Sequence, residues 1–236
     1  MIRREVLSPG FYARDTESVA RDLLGCLLET RIGGTVTAGR IVEVEAYVGP
    51  HDPADHGYGN RRTRRNEALF GLPGTAYVFR SYGVHWCFNA VTERDDYPSA
   101  VLIRALEPIE GTDVMVRRRG VKDVRRLCAG PGRLCQALGI SGTHDGGRLD
   151  RGPVRILSPR GGARPVVCTS PRIGISRAAD WPLRFYEEGP WVSRARPLAT
   201  STSTSAAFPS ESACPATHPV RGCYARTRHP PARRRR

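Results

Sequence analysis

Residues 41 to 48 read IleValGluValGluAlaTyrVal. With the two-residue period of a strand, Val42, Val44, Ala46 and Val48 fall on one face and Ile41, Glu43, Glu45 and Tyr47 on the other. This alternation predicts a strand over 36–48, with one face in the core and the other presenting two carboxylates and a phenol. β-Branched and aromatic runs predict further strands at 75–80, 84–91 and 100–107, the first two joined by a hairpin turn at Tyr82 and Gly83. The helical period appears earlier, in 16–30, where Val19, Leu23 and Leu24 share a face and Thr16 or Ser18 can cap the start. The end of that stretch, from Gly25 on, turns strand-like. Helices are expected at 110–119 and 131–138, the second with Pro131 at its first position. No repeat or long linker divides 1–196, so the body reads as a single α+β domain with a mostly antiparallel sheet.

Composition bounds this picture. The chain has 236 residues, 39% hydrophobic and 25% charged, enough for a globular core. No apolar run reaches the roughly 18 residues of a membrane span, and the first ten residues lack the apolar stretch of a secretory signal. A protein without membrane contact, working in the cytoplasm or at a bacterial nucleoid, is expected. Seven cysteines form no CxxC pair, which disfavours a disulfide framework and a structural zinc; no metal and no cofactor are expected. Beyond Arg196 the composition shifts to a Ser/Thr run and then scattered Pro, His and Arg. With no apolar periodicity, 197–236 is expected to be a basic, disordered tail.

Charge adds a partner. The net charge is +14, and although the tail holds seven arginines against one acid, the body alone stays basic. That balance suits a polyanion such as nucleic acid. The loop 59–66 concentrates Arg61, Arg62, Arg64 and Arg65. After it, Tyr77 and Phe79 share a strand face and Tyr82 stands at the hairpin tip, where a tyrosine is hard to bury. Basic residues interleaved with aromatics serve backbone neutralisation and base stacking. Taken alone, strand 41–48 reads more simply as half-exposed, with solvated acids. Beside these segments, a carboxylate facing DNA would be repelled unless it had a task.

The sequence resembles the alkyladenine (3-methyladenine) DNA glycosylases of the mammalian type, which have bacterial members. The resemblance lies in GlyArgIleValGluValGluAlaTyrValGlyPro (39–50), AspHis (55–56), ThrArgArgAsn (63–66), ProGlyThrAlaTyrVal (73–78), TyrGly (82–83), Asn89, ValLeuIleArgAlaLeuGluPro (101–108), GlyProGlyArgLeuCysGlnAlaLeuGlyIle (130–140) and ProLeuArgPheTyr (182–186). These segments follow the family's order across about 5–196. The resemblance implies a curved sheet with surrounding helices, similar to the C-terminal domain of methionyl-tRNA formyltransferase. It implies Glu45 as the general base that activates water and Arg104 as the residue that helps position it. Tyr47, His56, Tyr77 and Phe79 would wall the base pocket, Asn89 would oppose guanine at its floor, and Tyr82 would fill the gap in the duplex. Phe79 stands where many members have tyrosine, and Val84 where methionine is common.

The activity so implied is removal of alkylated or deaminated purines from double-stranded DNA by a monomer, with lesions such as 3-methyladenine, hypoxanthine or ethenoadenine. Lys122 is the only lysine, far in sequence from the pocket segments, so a Schiff-base strand nick is not expected and an abasic site is the product. The alternative is a non-catalytic module binding RNA or damaged DNA. Glu45 discriminates, because a pure binder gains nothing from a carboxylate on an aromatic face.

Overall fold

The computed structural model describes residues 4–159 and 165–193; the tail from 197 lies outside them. In chain order come α1 (Pro9–Tyr12), α2 (Thr16–Leu23), β1 (Leu27–Ile32), β2 (Thr35–Tyr47), β3 (Ala76–Ser81), β4 (His85–Val91), β5 (Ala100–Glu110), α3 (Thr112–Arg119), α4 (Pro131–Leu138), β6 (Val154–Leu157), β7 (Cys168–Ser170) and β8 (Arg184–Tyr186). The strands form one sheet in the order β3-β4-β5-β2-β1-β6, with β8 added to β2 and β7 to β8. Every pairing is antiparallel. The sheet is curled, and its helices lie around it, as an α+β domain. No helix among the described residues is long and apolar enough to cross a membrane.

Local chemistry accounts for the elements. The carboxylate of Asp15 accepts the Ser18 N–H at 2.9 Å and caps α2. Thr16 is therefore not the cap; its hydroxyl is buried against Thr92 and Glu93. Gly25, at φ +83, ends the helical path and starts β1. Pro131 opens α4, and Leu134, Cys135, Ala137 and Leu138 bury one side of it. The main core joins α2 and α4 to the sheet through Val19, Leu23, Leu134, Leu138, Val44, Phe88, Ile103 and Phe185. The opposite side of β3 carries a smaller cluster in which Leu69, Phe70 and Tyr77 are buried and Phe79 packs against them.

Strand β2 departs from strict alternation. Its pairing with β5 shifts register between Ile41 and Glu43 and again before Val44, a bulge that adds local twist. Ile41 consequently joins Val44 and Ala46 in the main core rather than sharing a face with the acids. The second expectation corrected is exposure: Glu43 and Glu45 are both fully buried. The reason is that β2 is covered on both edges there, by β5 and by β8, a strand too short for sequence to reveal.

Candidate active site

Two buried carboxylates side by side require counter-charge and hydrogen bonds. Glu43 receives Arg104 Nε at 3.0 Å and Arg184 Nε at 2.7 Å, and both the N–H and the hydroxyl of Ser193 at 2.7 Å. It thus ties β2 to β5, to β8 and to Ser193, beyond β8. Glu45 is held by three partners that themselves line a cleft, Ile173, Arg104 and Tyr47. Its Oε1 accepts the Ile173 N–H at 2.7 Å and faces Arg104 Nη1 at 3.2 Å, and its Oε2 accepts the Tyr47 hydroxyl at 3.0 Å. Burial raises the Glu45 pKa above its ordinary value, and Glu43 adds to the rise; Arg104, the Ile173 N–H and the Tyr47 hydroxyl oppose it. Burial works against the charge of Arg104, but Glu45 and Glu43 together keep it more firmly protonated than usual.

Tyr47, Arg104 and Ile173, the residues that hold Glu45, line a cleft of about 1020 Å³, with His56, Tyr77, Phe79 and Asn89 also in its wall; the two acids lie behind this lining rather than in it. Tyr77 and Phe79 sit two apart on β3 and stack with ring centres 5.4 Å apart. His56 meets Phe79 edge-on at 4.4 Å, and its Nδ1 lies 2.7 Å from the Tyr77 hydroxyl oxygen. Its edge stays open to the cleft, while desolvation of the ring and the charge of Arg65 lower its pKa and favour the neutral imidazole. Burial raises the phenols of Tyr47 and Tyr77, so both remain protonated. Asn89 pairs with Tyr77 across the hairpin and donates its amide to the Tyr77 carbonyl at 3.0 Å, which fixes its orientation at the cleft wall.

The rim is basic and carries one projecting ring. Arg61, Arg64 and Arg65 line the cleft mouth, on a loop organised by buried Asn66. The Asn66 amide donates to the carbonyls of His56 and Arg61 at 3.0 and 2.8 Å, and its carbonyl accepts the Thr63 N–H at 2.7 Å. Arg62 stands apart from these three, engaged by Glu67 and Asp96 and lying over the Phe70 ring. Tyr82, at φ +49 and followed by Gly83 at φ +69, occupies the hairpin tip and is 90% exposed. The Ser81 carbonyl accepts the Val84 N–H, which closes the turn.

Several contributors escaped the sequence reading. Ile173, Gly174 and Ile175 come to the cleft from an irregular segment with no periodicity to announce it. Trp86 lies against Gly142, where a Cβ would come within 2.6 Å of the indole. Asp145 reaches the cleft and accepts the Val78 N–H at 2.8 Å. Asp55, within the quoted AspHis pair, is pushed up to about 7 by burial, against the N–H groups of Gly57 and Gly49. Among the described residues no three His, Cys, Asp or Glu side chains gather as a metal-binding group.

Comparison with known proteins converges on one family. The model of the methylpurine-DNA glycosylases matches residues 10–190. A Rhodopseudomonas palustris (strain HaA2) protein named "Putative 3-methyladenine DNA glycosylase" is 52% identical over 180 residues, 76% of this chain and 85% of its own length. A protein of the same name from Methanoculleus marisnigri is 50% identical over 195 residues, 80% of this chain and 98% of its own. One from Nitrosospira multiformis is 47% identical over 186 residues, 78% of this chain and 91% of its own. The chain belongs to the methylpurine-DNA glycosylase family.

Proposed function

We propose that this methylpurine-DNA glycosylase takes a damaged purine out of duplex DNA into the aromatic cleft and cleaves its N-glycosidic bond with a water activated by Glu45. The protein is a DNA repair glycosylase, a hydrolase of N-glycosyl bonds. The water oxygen attacks the anomeric carbon, its proton passes to the Glu45 carboxylate, and the C–N bond breaks with its electrons leaving on the base. The ionised carboxylate also stabilises the positive charge that develops on the sugar. Arg104 holds Glu45 by its inner oxygen and keeps the anion from being isolated.

A stacked base cannot be reached at its sugar, so extrusion comes first and costs a few kcal/mol, least for damaged or mispaired bases. Tyr82 at the exposed tip is suited to fill the vacated space. The extruded base would lie between Tyr47, His56, Tyr77 and Phe79, whose π faces attract the positive charge of an alkylated purine. Arg61, Arg64 and Arg65, free of acidic neighbours in the described contacts, are suited to phosphates; Arg62 would have to leave Glu67 and Asp96 to join them. Among the described residues the sole lysine, Lys122, is exposed and absent from the cleft lining, which supports hydrolysis to an abasic site rather than a strand nick through a lysine amine.

The observation that carries this reading is a fully buried carboxylate, Glu45, held by three donors at the back of an aromatic cleft with a basic rim. The test is a set of duplex oligonucleotides, each with one defined lesion among 3-methyladenine, hypoxanthine and ethenoadenine. Strand breaks should appear only after alkali. Breaks without alkali would contradict a purely hydrolytic enzyme, and no breaks with any lesion would contradict the activity.

A further inference from the structure

Irregular chain at an active site needs an anchor, since it has no ladder of its own to hold it. The segment that brings Ile173, Gly174 and Ile175 to the cleft is anchored by Arg172, which is 4% exposed. The guanidinium forks onto Asp52: Nη2 donates to Oδ1 at 2.8 Å and Nη1 to Oδ2, with neither side chain retaining accessible surface. Nη1 also donates to the Ala46 carbonyl at 3.0 Å, on the strand between Glu45 and Tyr47. Asp52 in turn accepts the N–H groups of Ala54 at 3.0 Å and Val48 at 3.3 Å, shaping the loop that continues to His56. The guanidinium lies 4.6 Å from the centre of the Tyr47 ring. The next peptide N–H, that of Ile173, bonds Glu45.

We propose that Arg172, locked by Asp52, is a positioning residue for the hydrolytic step, holding Glu45 and Tyr47 in the geometry that water activation requires without itself touching the base. The bidentate fork fixes the plane of the guanidinium, and that plane fixes both the Tyr47 ring above it and the direction of the Ile173 N–H beside it. A pair kept only for stability would not need this arrangement, because well-packed apolar residues often serve as well in a buried site. The proposal rests on Glu45 being the base.

The distinguishing readout is the acid limb of the pH–rate profile. Glu45 is faced by Arg104 from β5, Cys87 from β4, Glu43 and Tyr47 from its own strand, Arg184 from β8 by way of Glu43, and the Arg172–Ile173 segment. Changes at Arg172 alter the last directly and Tyr47 through the ring that the guanidinium holds, and loosening the Tyr47 hydroxyl acts on Glu45 in the same direction. The Ile173 N–H and the Arg172 charge both favour the ionised carboxylate, so loosening them raises the Glu45 pKa and moves the acid limb to higher pH.

Two variants test this: Arg172→Lys, which keeps the charge but can neither fork nor stack, and the double variant Asp52→Asn/Arg172→Gln, which replaces the pair by neutral amides. In whichever is folded by thermal melting, binding to a duplex hypoxanthine lesion should stay within about threefold of wild type. The single-turnover rate should fall about ten- to a hundredfold, the scale of a small misplacement at a reacting centre, and the acid limb should move to higher pH. A wild-type rate, a slower rate with an unmoved acid limb, or failure of both variants to fold would make the pair a structural bridge and overturn the proposal. Wild type and Glu45→Gln on the same duplex report separately on Glu45: if only they differ, that reading stands and the role of Arg172 does not.

Discussion

At the residue scale the site depends on where single polar atoms are held. Asn89 spends one amide proton on the Tyr77 carbonyl, so its side chain cannot swing away from the cleft without losing a buried hydrogen bond. A fixed amide at the wall opposes the exocyclic amine that guanine carries and hypoxanthine lacks, a repulsive element of the kind selective sites use. Asn89→Ser should therefore raise the single-turnover rate for a guanine lesion relative to hypoxanthine in the same duplex. An unchanged ratio, in a variant folded and active on hypoxanthine, would remove Asn89 from the specificity site. Sequence identified this residue, and Glu45 as the base, through resemblance; the alternating strand placed Glu43 and Glu45 on one face without choosing between them. It could not identify Arg172, Ile173 or the Glu43–Arg184–Ser193 contacts, which join positions more than a hundred residues apart.

At the element scale the β3–β4 hairpin carries the most specific signal. A tyrosine in the left-handed region costs roughly 1–2 kcal/mol relative to ordinary backbone, and here the side chain regains nothing by burial. Such strain at an exposed tip fits a residue kept for what it does to a partner. Tyr82→Ser should weaken binding to a duplex lesion more than to the same lesion in single-stranded DNA, while Tyr82→Gly should show the same binding pattern with no loss of thermal stability. Equal losses on both substrates would argue against a wedge. The longer elements were legible because their periods are clear: the strands expected at 36–48, 75–80, 84–91 and 100–107 correspond to β2 to β5, and 131–138 is α4. The four-residue α1 and the short strands β6, β7 and β8 were not, since three or four residues carry no period and owe their form to tertiary pairing. The bulge in β2 was also invisible, because it is set by pairing with β5 rather than by its own residues.

At the scale of the whole molecule, one curled sheet divides its labour between faces. The side packed by α2 and α4 holds the main core, and the other carries the aromatic cluster of Tyr77 and Phe79 and the cleft lined by Arg61, Arg64 and Arg65, with Tyr47 and Arg104 linking that cleft to Glu45. On the proposed reading, the positive body attracts the duplex at long range and the chemistry is carried by a buried carboxylate whose pKa burial raises. Activity on an already cationic lesion should fall with decreasing pH along an acid limb above the ordinary glutamate range, because Glu45 must be ionised to act and its pKa is raised. The most direct test is single-turnover release of hypoxanthine from a duplex by Glu45→Gln at saturating enzyme, beside direct measurement of lesion binding. Loss of about two to four orders of magnitude in rate, with binding retained, is the predicted result. Near-wild-type release by the folded variant would contradict Glu45 as the group that activates water.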